Sequence, residues 1–283
     1  MKITEHENEI EIQGISDFDL AKTFGCGQCF RWSAEEEVSF AGENEAYIGV
    51  AYGKAAGIRR SGKSFFISCS YDEFESVWRG YFDLDRDYAA IRRQLCIDDF
   101  MKNATGYGKG IRLLQQDKWE ALCSFIISQN NNIPRIIGII DRLCREFGEV
   151  IYFEDKQFYT FPSAATIASV DEKFLLSSLR CGYRADYIVK AAQAVADGNI
   201  DLDALAGSSS HAARAALKRL HGVGDKVADC VMLFGLHMLD SFPVDVWMKR
   251  AVASHYGPDF DPGIFSPYAG IAQQYIYHYT RNL

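Results

Sequence analysis

The sequence predicts an α+β fold in which an antiparallel sheet comes first and an all-helical part follows. Up to about residue 70, short segments of alternating apolar and polar residues are separated by turn-forming residues, which is the pattern of paired strands. From Asp72 onward the apolar residues recur at helical spacing. With 283 residues the chain can bury a substantial core, and we divide it into residues 1–97 and 98–283.

The sheet part begins with an alternating segment, residues 1–14, which we interpret as one strand. Its solvent-facing side carries Glu5, Glu7, Glu9 and Glu11. Residues 24–32 lead from a short helix into a strand, and residues 47–50 and 64–70 are predicted as further strands. Residues 35–37 and 62–63 are predicted as turns.

The helical part is predicted to contain successive helices joined by polar or glycine-containing turns. Asp117 and Glu120 have the spacing of a capping box, and the helix that they begin ends at the polar run 128–132. Pro134 suits the first turn of the next helix, which extends to residue 147. Residues 149–165 are less regular, and further helices are predicted at 171–180, 184–196, 210–220, from about 225, and from 268 to the end.

Charge and composition indicate a soluble globular protein and do not exclude nucleic-acid binding. The net charge of −8 arises within residues 1–100, which carry 11 Lys/Arg and 19 Asp/Glu, whereas residues 101–283 carry 19 of each. The neutral part can therefore present a basic face. Because no apolar run reaches membrane-spanning length and the N-terminus does not resemble a signal peptide, we expect no membrane association and a cytosolic or nuclear location.

The eight cysteines are scattered through apolar patterns, which in a reducing compartment indicates small core residues rather than disulfides. Cys26 and Cys29 form a CxxC pair, but they lack the strand-to-helix setting of a redox site. No four-cysteine cluster lies near the C-terminus, so the sequence predicts no iron–sulfur cluster there.

The most specific pattern is in residues 220–250, LHGVGDKVADCVMLFGLHMLDSFPVDVWMKR. A helix rich in basic residues ends at Gly222-Val223-Gly224, and a second helix begins at about Asp225. Two glycines around one apolar residue suit a tight turn between helices. The first N–H groups of the second helix have no partners within the helix and favour an anionic oxygen, so the turn is predicted to hold a phosphate.

Lys226 and Asp245 are the candidate nucleophile and carboxylate. Lys226 lies in the first turn of the second helix, with Cys230 four residues later on the same face. Asp245 is flanked by a proline and two valines, which suggests a rigid, partly buried position. A neutral amine can attack carbon while a nearby carboxylate moves protons or stabilises a developing cation. Taken singly, each residue is more often a solvated lysine or a helix cap, and the Gly-Lys-Ser/Thr core of a P-loop is missing.

Two further groups suggest contacts with a distorted duplex. Tyr183 and Arg184 follow Gly182, where the ring can fill a vacated stack and the guanidinium can bind base acceptors. Gln273 and Tyr277 share a helix face, where an amide can pair with the edge of a flipped base and a ring can stack on its plane. The alternatives are a surface Tyr-Arg pair and a helix that packs its aromatic residues into the core.

Together these motifs resemble the 8-oxoguanine DNA glycosylase/AP lyases of the helix-hairpin-helix (HhH-GPD) superfamily. The resemblance covers most of the chain and rests on GQCFRW, SFIISQNNNIPRI, GYRADY, the hairpin block and PYAGIAQ, in that order. It implies a TBP-like sheet domain, an all-α helix-hairpin-helix domain with its hairpin at about 210–236, and a lesion cleft between the lobes. It also implies removal of 8-oxoguanine opposite cytosine from duplex DNA in base excision repair, by a monomer without metal or organic cofactor. A structural cation at the hairpin stays open.

The resemblance also implies a role for each matching residue. Lys226 attacks the sugar C1′, expels the base and forms a Schiff base that leads to β-elimination, with assistance from Asp245. Gly27 accepts, through its carbonyl, the N7 hydrogen that 8-oxoguanine has and guanine lacks. The other matches are the two residues that sandwich the flipped base (Cys230, Tyr277), the amide for its Watson–Crick edge (Gln273), the wedge (Tyr183), the contacts to the orphaned cytosine (Asn130, Arg135, Arg184) and the hairpin phosphate site (Gly222, Gly224, Val227).

Three residues depart from the family pattern: Tyr277 stands where phenylalanine is common, Trp247 replaces a histidine that touches DNA in some members, and Cys29 replaces a common serine. One alternative function is an alkylated-base glycosylase, but those relatives lack the hairpin lysine. Another is a hairpin module that only binds DNA, against which Lys226 and Asp245 both argue. A CxxC redox protein is the third. We expect a cytoplasmic, nucleoid-associated protein if the source is bacterial and a nuclear one if it is eukaryotic.

Overall fold

The computed structural model describes residues 1–35 and 45–283. In this part of the chain, six strands form one antiparallel sheet in the order β1-β2-β6-β5-β4-β3. Their bounds are β1 Lys2–Glu5, β2 Ile10–Gln13, β3 Trp32–Ala34, β4 Ala46–Ala51, β5 Lys54–Ser61 and β6 Ser64–Ile67. The predicted fold class, an antiparallel sheet followed by helices, is confirmed.

One prediction for the sheet was wrong, and one strand was missed. Residues 1–14 form a hairpin rather than one strand, because the chain reverses between His6 and Glu9 and β1 pairs with β2. The glutamates therefore do not share one solvated face, and the Glu9 carboxylate binds the Arg59 guanidinium at 2.8 Å. Strand β5 was not predicted, because its sequence KAAGIRRS lacks the alternation of a half-buried strand. The predicted turn at 35–37 falls mostly outside the described residues.

Aromatic side chains form the core under the sheet. The first helices are α1 Leu20–Gly25, α2 Tyr71–Glu73, a π-helical turn Phe74–Trp78 and α3 Arg79–Tyr81. The rings of Phe24 and Trp32 stack with their centroids 4.5 Å apart, and those of Trp78 and Phe82 lie 5.9 Å apart. At Gly49 a Cβ would lie 2.2 Å from the Trp32 ring, so this close packing requires glycine.

The helical part surrounds a second and larger core. Its helices in the described chain are α4 Tyr88–Leu95, α5 Asp99–Tyr107, α6 Lys118–Ile127, α7 Ile133–Phe147, α8 Ala164–Ala168, α9 Glu172–Leu179, α10 Arg184–Ala196, α11 Leu202–Ala206, α12 Ser210–Leu217, α13 Asp225–Phe234, α14 Val246–His255 and α15 Ala269–Arg281, with a 3-10 turn at Pro262–Phe265. The irregular segment contains a hairpin of β7 Val150–Phe153 and β8 Lys156–Tyr159. None of the helices in the described residues is long and apolar enough to cross a membrane.

A buried ion pair joins the two parts. Asp117 caps α6 as predicted, since its carboxylate accepts from the Glu120 N–H at 2.8 Å. The Glu120 side chain does not complete the capping box, because it binds the Arg31 guanidinium at 3.2 Å instead. Both side chains are about nine-tenths buried, and Arg31 also donates to the carbonyl of Tyr159. This contact fixes the strand that follows the Gly27 loop against the helical part.

Candidate active site

The predicted hairpin connects α12 to α13 and leaves the start of α13 open. Gly222 has φ +80°, and a Cβ there would lie 2.3 Å from the ring of Tyr187 on α10. Gly224 is the N-cap of α13, provides no side-chain cap and has nothing within 4 Å of the position of a Cβ. The turn thus packs closely on one side. On the other side it presents N–H groups that have no partner among the described residues, an arrangement that suits a phosphate oxygen.

Lys226 extends from the first turn of α13 into a cavity. Its Nζ lies 3.4 Å from the Ser128 hydroxyl and 5.4 Å from the centroid of the Phe125 ring. It also interacts with the thiol of Cys230, which is 3% exposed. Burial raises the pKa of the Cys230 thiol even though Lys226 opposes this change. Cys230 is therefore a neutral neighbour of the amine rather than a thiolate that would hold it as an ion pair.

Asp245 caps a helix and lines the same cavity. One carboxylate oxygen, Oδ1, accepts from the Met248 N–H at 2.8 Å, at the start of α14. The residue is half-buried beside Lys226 in the wall of the cavity. The cap fixes the orientation of the carboxylate and leaves Oδ2 for other contacts. The helix-cap role and the candidate catalytic role therefore coincide in one residue.

The cavity brings together six of the predicted residues. It has a volume of about 60 Å³ and is lined by Gly27, Lys226, Cys230, Asp245, Gln273 and Tyr277, among others. It opens into a cleft of about 560 Å³, whose walls include Asn130, Gly224 and Val227. The small cavity has room for only a few water molecules, so a purine base enters only if the side chains around it move.

The loop that presents Gly27 is held by a residue that sequence reasoning missed. Gly27 has φ +81°, and its missing Cβ would lie 3.5 Å from the Tyr277 hydroxyl. The neighbouring Gln28 is fully buried, and its amide donates to the carbonyls of Thr23 and Arg112 at 2.8 Å while accepting from the Leu114 N–H at 2.9 Å. The sequence signal was its place in GQCFRW, but a lone glutamine does not reveal these three buried partners.

A second missed residue lies beside Gln273. Both Gln273 and Gln274 are 4% exposed and line the cavity from α15. The Gln274 Nε2 donates to Gln273 Oε1 at 2.8 Å.

Lys249, on α14, was also missed. Among the described residues that line the cleft, it is the only cationic residue besides Lys226.

The residues predicted to meet the opposite base lie beside the cleft. Tyr183 is half-exposed, and its hydroxyl accepts from Asn130 Nδ2 at 3.3 Å. Arg184 is 3% exposed, and its guanidinium donates to the carbonyls of Gln129, Asn130 and Cys181. The structure thus does not present Arg184 to solvent as expected, because its donors hold the Asn130 loop. Arg135 is exposed and donates to the Arg180 carbonyl at 3.4 Å.

The CxxC pair does not have the character of a redox site. Burial raises the pKa of the Cys26 thiol to about 12, and that of Cys29 well above its usual range. Reactive cysteines instead need a low pKa and access to solvent. Among the described residues, no group of three or more His, Cys, Asp or Glu side chains could hold a metal ion.

The Arg250 guanidinium lies over the Trp247 ring, with its carbon 5.2 Å from the centroid of that ring.

Comparison with known proteins places both parts of the chain in described families. Residues 12–122 match the family described as the N-terminal domain of 8-oxoguanine DNA glycosylase, and residues 123–263 match the HhH-GPD superfamily of base excision DNA repair proteins. An N-glycosylase/DNA lyase of Saccharomyces cerevisiae is 32% identical over 265 residues, which are 85% of this chain and 69% of the yeast protein.

Two solved structures share the whole architecture. One is described as MBOgg1 in complex with a low affinity DNA ligand; it is 40% identical, with a TM-score of 0.93, over 99% of this chain and 98% of that one. The other is the Clostridium acetobutylicum 8-oxoguanine glycosylase/lyase in complex with double-stranded DNA containing cytosine opposite 8-oxoguanine. It is 34% identical, with a TM-score of 0.92, over 100% of this chain and 98% of that one.

Proposed function

We propose a function for this chain from its family, since it belongs to the 8-oxoguanine DNA glycosylase/lyases of the HhH-GPD superfamily. In this proposal it excises 8-oxoguanine opposite cytosine from duplex DNA and then nicks the strand through a Schiff base on Lys226. The observation that carries this proposal is the cavity in which Lys226 and Asp245 share a wall with four candidate base-binding residues. A nucleophile, a carboxylate and a base pocket are what a lysine-dependent glycosylase needs in one place.

In the proposed first step, the neutral Lys226 amine attacks C1′ of the lesion nucleotide. The glycosidic bond breaks, its electron pair leaves with the base, and the base takes up the proton that the attacking amine loses. Positive charge develops on the sugar, and the Asp245 carboxylate stabilises it. Its helix-capping bond with the Met248 N–H holds the carboxylate in place, so little reorganisation accompanies the reaction.

In the proposed second step, the amine bound to C1′ opens the sugar ring and becomes a Schiff base. Transfer of a proton from C2′ to water then expels the 3′ phosphate by β-elimination, which breaks the strand. Hydrolysis of the Schiff base by a second water molecule returns the free amine. The Lys226 amine, the Asp245 carboxylate and water suffice for this sequence, so we propose no metal or organic cofactor. The unpartnered N–H groups at Gly224 and Val227 bind a backbone phosphate near the lesion.

Recognition of the lesion is proposed to rest on one hydrogen-bond donor that guanine lacks, the N7 hydrogen. The Gly27 carbonyl accepts the N7 hydrogen, and Cys230 and Tyr277 contact the two faces of the flipped base. Asn130 and Arg135 bind the orphaned cytosine while Tyr183 fills the gap in the stack. Arg184 acts by holding the Asn130 loop through its carbonyl bonds. These assignments follow from the family resemblance and from the residues that line the cavity and the cleft.

The competing function is a hairpin module that binds DNA without chemistry. Excision and nicking should be measured separately, in single turnovers on duplexes that contain 8-oxoguanine opposite cytosine, with undamaged and uracil-containing duplexes as controls. We expect Lys226→Gln to bind the lesion duplex without nicking it. Lys249→Gln removes the other amine of the cleft and should still nick. Nicking by Lys226→Gln would contradict the assignment of Lys226, and binding without excision by the wild-type protein would support the module.

A further inference from the structure

The base cavity contains a hydrogen-bond acceptor without a partner. Gln274 lines the cavity and is 4% exposed, and within the described residues its Oε1 atom has no hydrogen-bond partner. Buried polar atoms are nearly always hydrogen-bonded, and leaving one unpaired is unfavourable. An unpaired acceptor in the wall of a ligand cavity is therefore where a donor of the ligand should arrive.

The orientation of the Gln274 amide follows from its neighbour. Its Nε2 donates to Gln273 Oε1 at 2.8 Å, so Oε1 is the atom left over. The opposite orientation would place two carbonyl oxygens against each other. The same bond fixes Gln273, because it uses one of the two acceptor positions on Gln273 Oε1 and leaves the other. Two amide acceptors therefore lie side by side on residues that line the cavity, and both become available once the surrounding side chains move to admit a base.

The donors of 8-oxoguanine match these acceptors in number. This lesion has three kinds of ring-edge donor: the N7 hydrogen, the N1 hydrogen and the exocyclic 2-amino group. In the proposed function, Gly27 accepts the first of them and Gln273 accepts from the Watson–Crick edge. One acceptor and one donor then remain, Gln274 Oε1 and the 2-amino group. An adenine-type lesion has no 2-amino group, so it would leave Gln274 Oε1 unpaired.

We propose that Gln274 is a second specificity-determining amide of the cavity, whose Oε1 accepts a hydrogen bond from the 2-amino group of the flipped base. This inference rests on the proposed function and extends it from the N7 edge to the opposite side of the base. Lesions of the guanine type are then distinguished from oxidised purines without a 2-amino group. The discrimination is made at base binding, so it acts on excision and not on the later elimination.

The test compares two lesions that differ only in this amino group, 8-oxoguanine and 8-oxohypoxanthine, each placed opposite cytosine in the same duplex. We expect the wild-type protein to excise 8-oxoguanine about 2- to 10-fold faster in single turnovers, the range of one neutral hydrogen bond. In Gln274→Met, which is similar in size but apolar, the ratio should fall to about one. Because each ratio comes from one preparation, it does not depend on the folded fraction.

A second variant separates a direct contact from an effect through Gln273. Gln274→Glu keeps an acceptor oxygen and loses the donor to Gln273, so it should retain the preference for 8-oxoguanine. If both variants lose the preference, Gln274 acts only by orienting Gln273 and the direct contact is overturned. Equal rates for the two lesions in the wild type, or an unchanged ratio in Gln274→Met, also overturn it. Excision of neither lesion by the wild type overturns the proposed function and this inference with it.

Discussion

Gly222→Ala tests the packing of the hairpin against α10, the helix that carries Tyr187. The Cβ of an alanine would lie 2.3 Å from the ring of Tyr187, and contacts of this length do not occur between real side chains. The ring or the turn must therefore move by about 1 Å to restore van der Waals separation. The residue would also have to keep φ +80°, which is strained for any residue with a Cβ.

The two effects give the expected magnitude. Overpacking of a well-filled site costs about 1–3 kcal/mol, and the left-handed conformation costs about 1–2 kcal/mol. We therefore expect the free energy of unfolding to fall by about 2–5 kcal/mol, which lowers Tm by roughly 5–15 °C in a chain of this size. Because the turn also forms the proposed phosphate site, affinity for duplex DNA should fall as well.

Two further variants separate these contributions in urea denaturation. Gly222→Ala combined with Tyr187→Leu removes the ring and should recover the overpacking part while leaving the strain of φ. Gly224→Ala is the matched control, since φ is −95° there and a Cβ would have nothing within 4 Å. It should change stability by less than about 1 kcal/mol. Equal stability of Gly222→Ala and Gly224→Ala would refute the close approach of Tyr187 to the turn.

Three other predictions concern recognition and stability. In Gly27→Ala the new Cβ would meet only ordinary contacts, the nearest at 3.5 Å, so the variant should fold. Strain at φ +81° should displace the residue 27 carbonyl. The single-turnover preference for 8-oxoguanine over guanine should therefore fall about 10-fold or more. Arg184→Ala should release the Asn130 loop and narrow the difference in excision rate between cytosine and adenine opposite the lesion; an unchanged ratio would contradict this role. Burial would raise the pKa of Asp83, but hydrogen bonds from His237 and Arg86 outweigh it and lower the pKa to about 2. The ionised carboxylate therefore stabilises the fold above pH 4, and this contribution is lost as pH falls through about 2. Asp83→Asn should cost about 2 kcal/mol in unfolding free energy at pH 6 and almost nothing near pH 2; a difference independent of pH would contradict the assignment.

Local patterns predicted the parts of the fold and site that depend on neighbouring residues. The hairpin turn, the start of α13 and the cap at Asp117 all follow from short-range rules on glycine and capping. The side chain of Glu120 left the capping box because Arg31, 89 residues away, offers a buried partner. Such long-range competition for a side chain cannot be read from spacing along the chain.

The same limit explains what was missed in the site. Arg184 was expected to face a base, since a Tyr-Arg pair after glycine looks exposed in sequence, but the fold brings the carbonyls of residues 129 and 130 against its guanidinium. Gln274 follows Gln273 in sequence, and adjacent helical residues normally face different surroundings. Both line the cavity only because α15 is buried around this position, as tertiary packing determines.

Borohydride trapping tests the central claim, that Lys226 is the nucleophile, most directly. The protein is incubated with an 8-oxoguanine:cytosine duplex and with undamaged and uracil-containing duplexes, and sodium borohydride reduces any Schiff base to a stable amine. We predict a covalent adduct with the 8-oxoguanine duplex alone, mapped by peptide mass to Lys226 and absent in Lys226→Gln. Tight binding without an adduct, or an adduct that persists in Lys226→Gln and maps to Lys249, the other lysine of the cleft, would contradict the account.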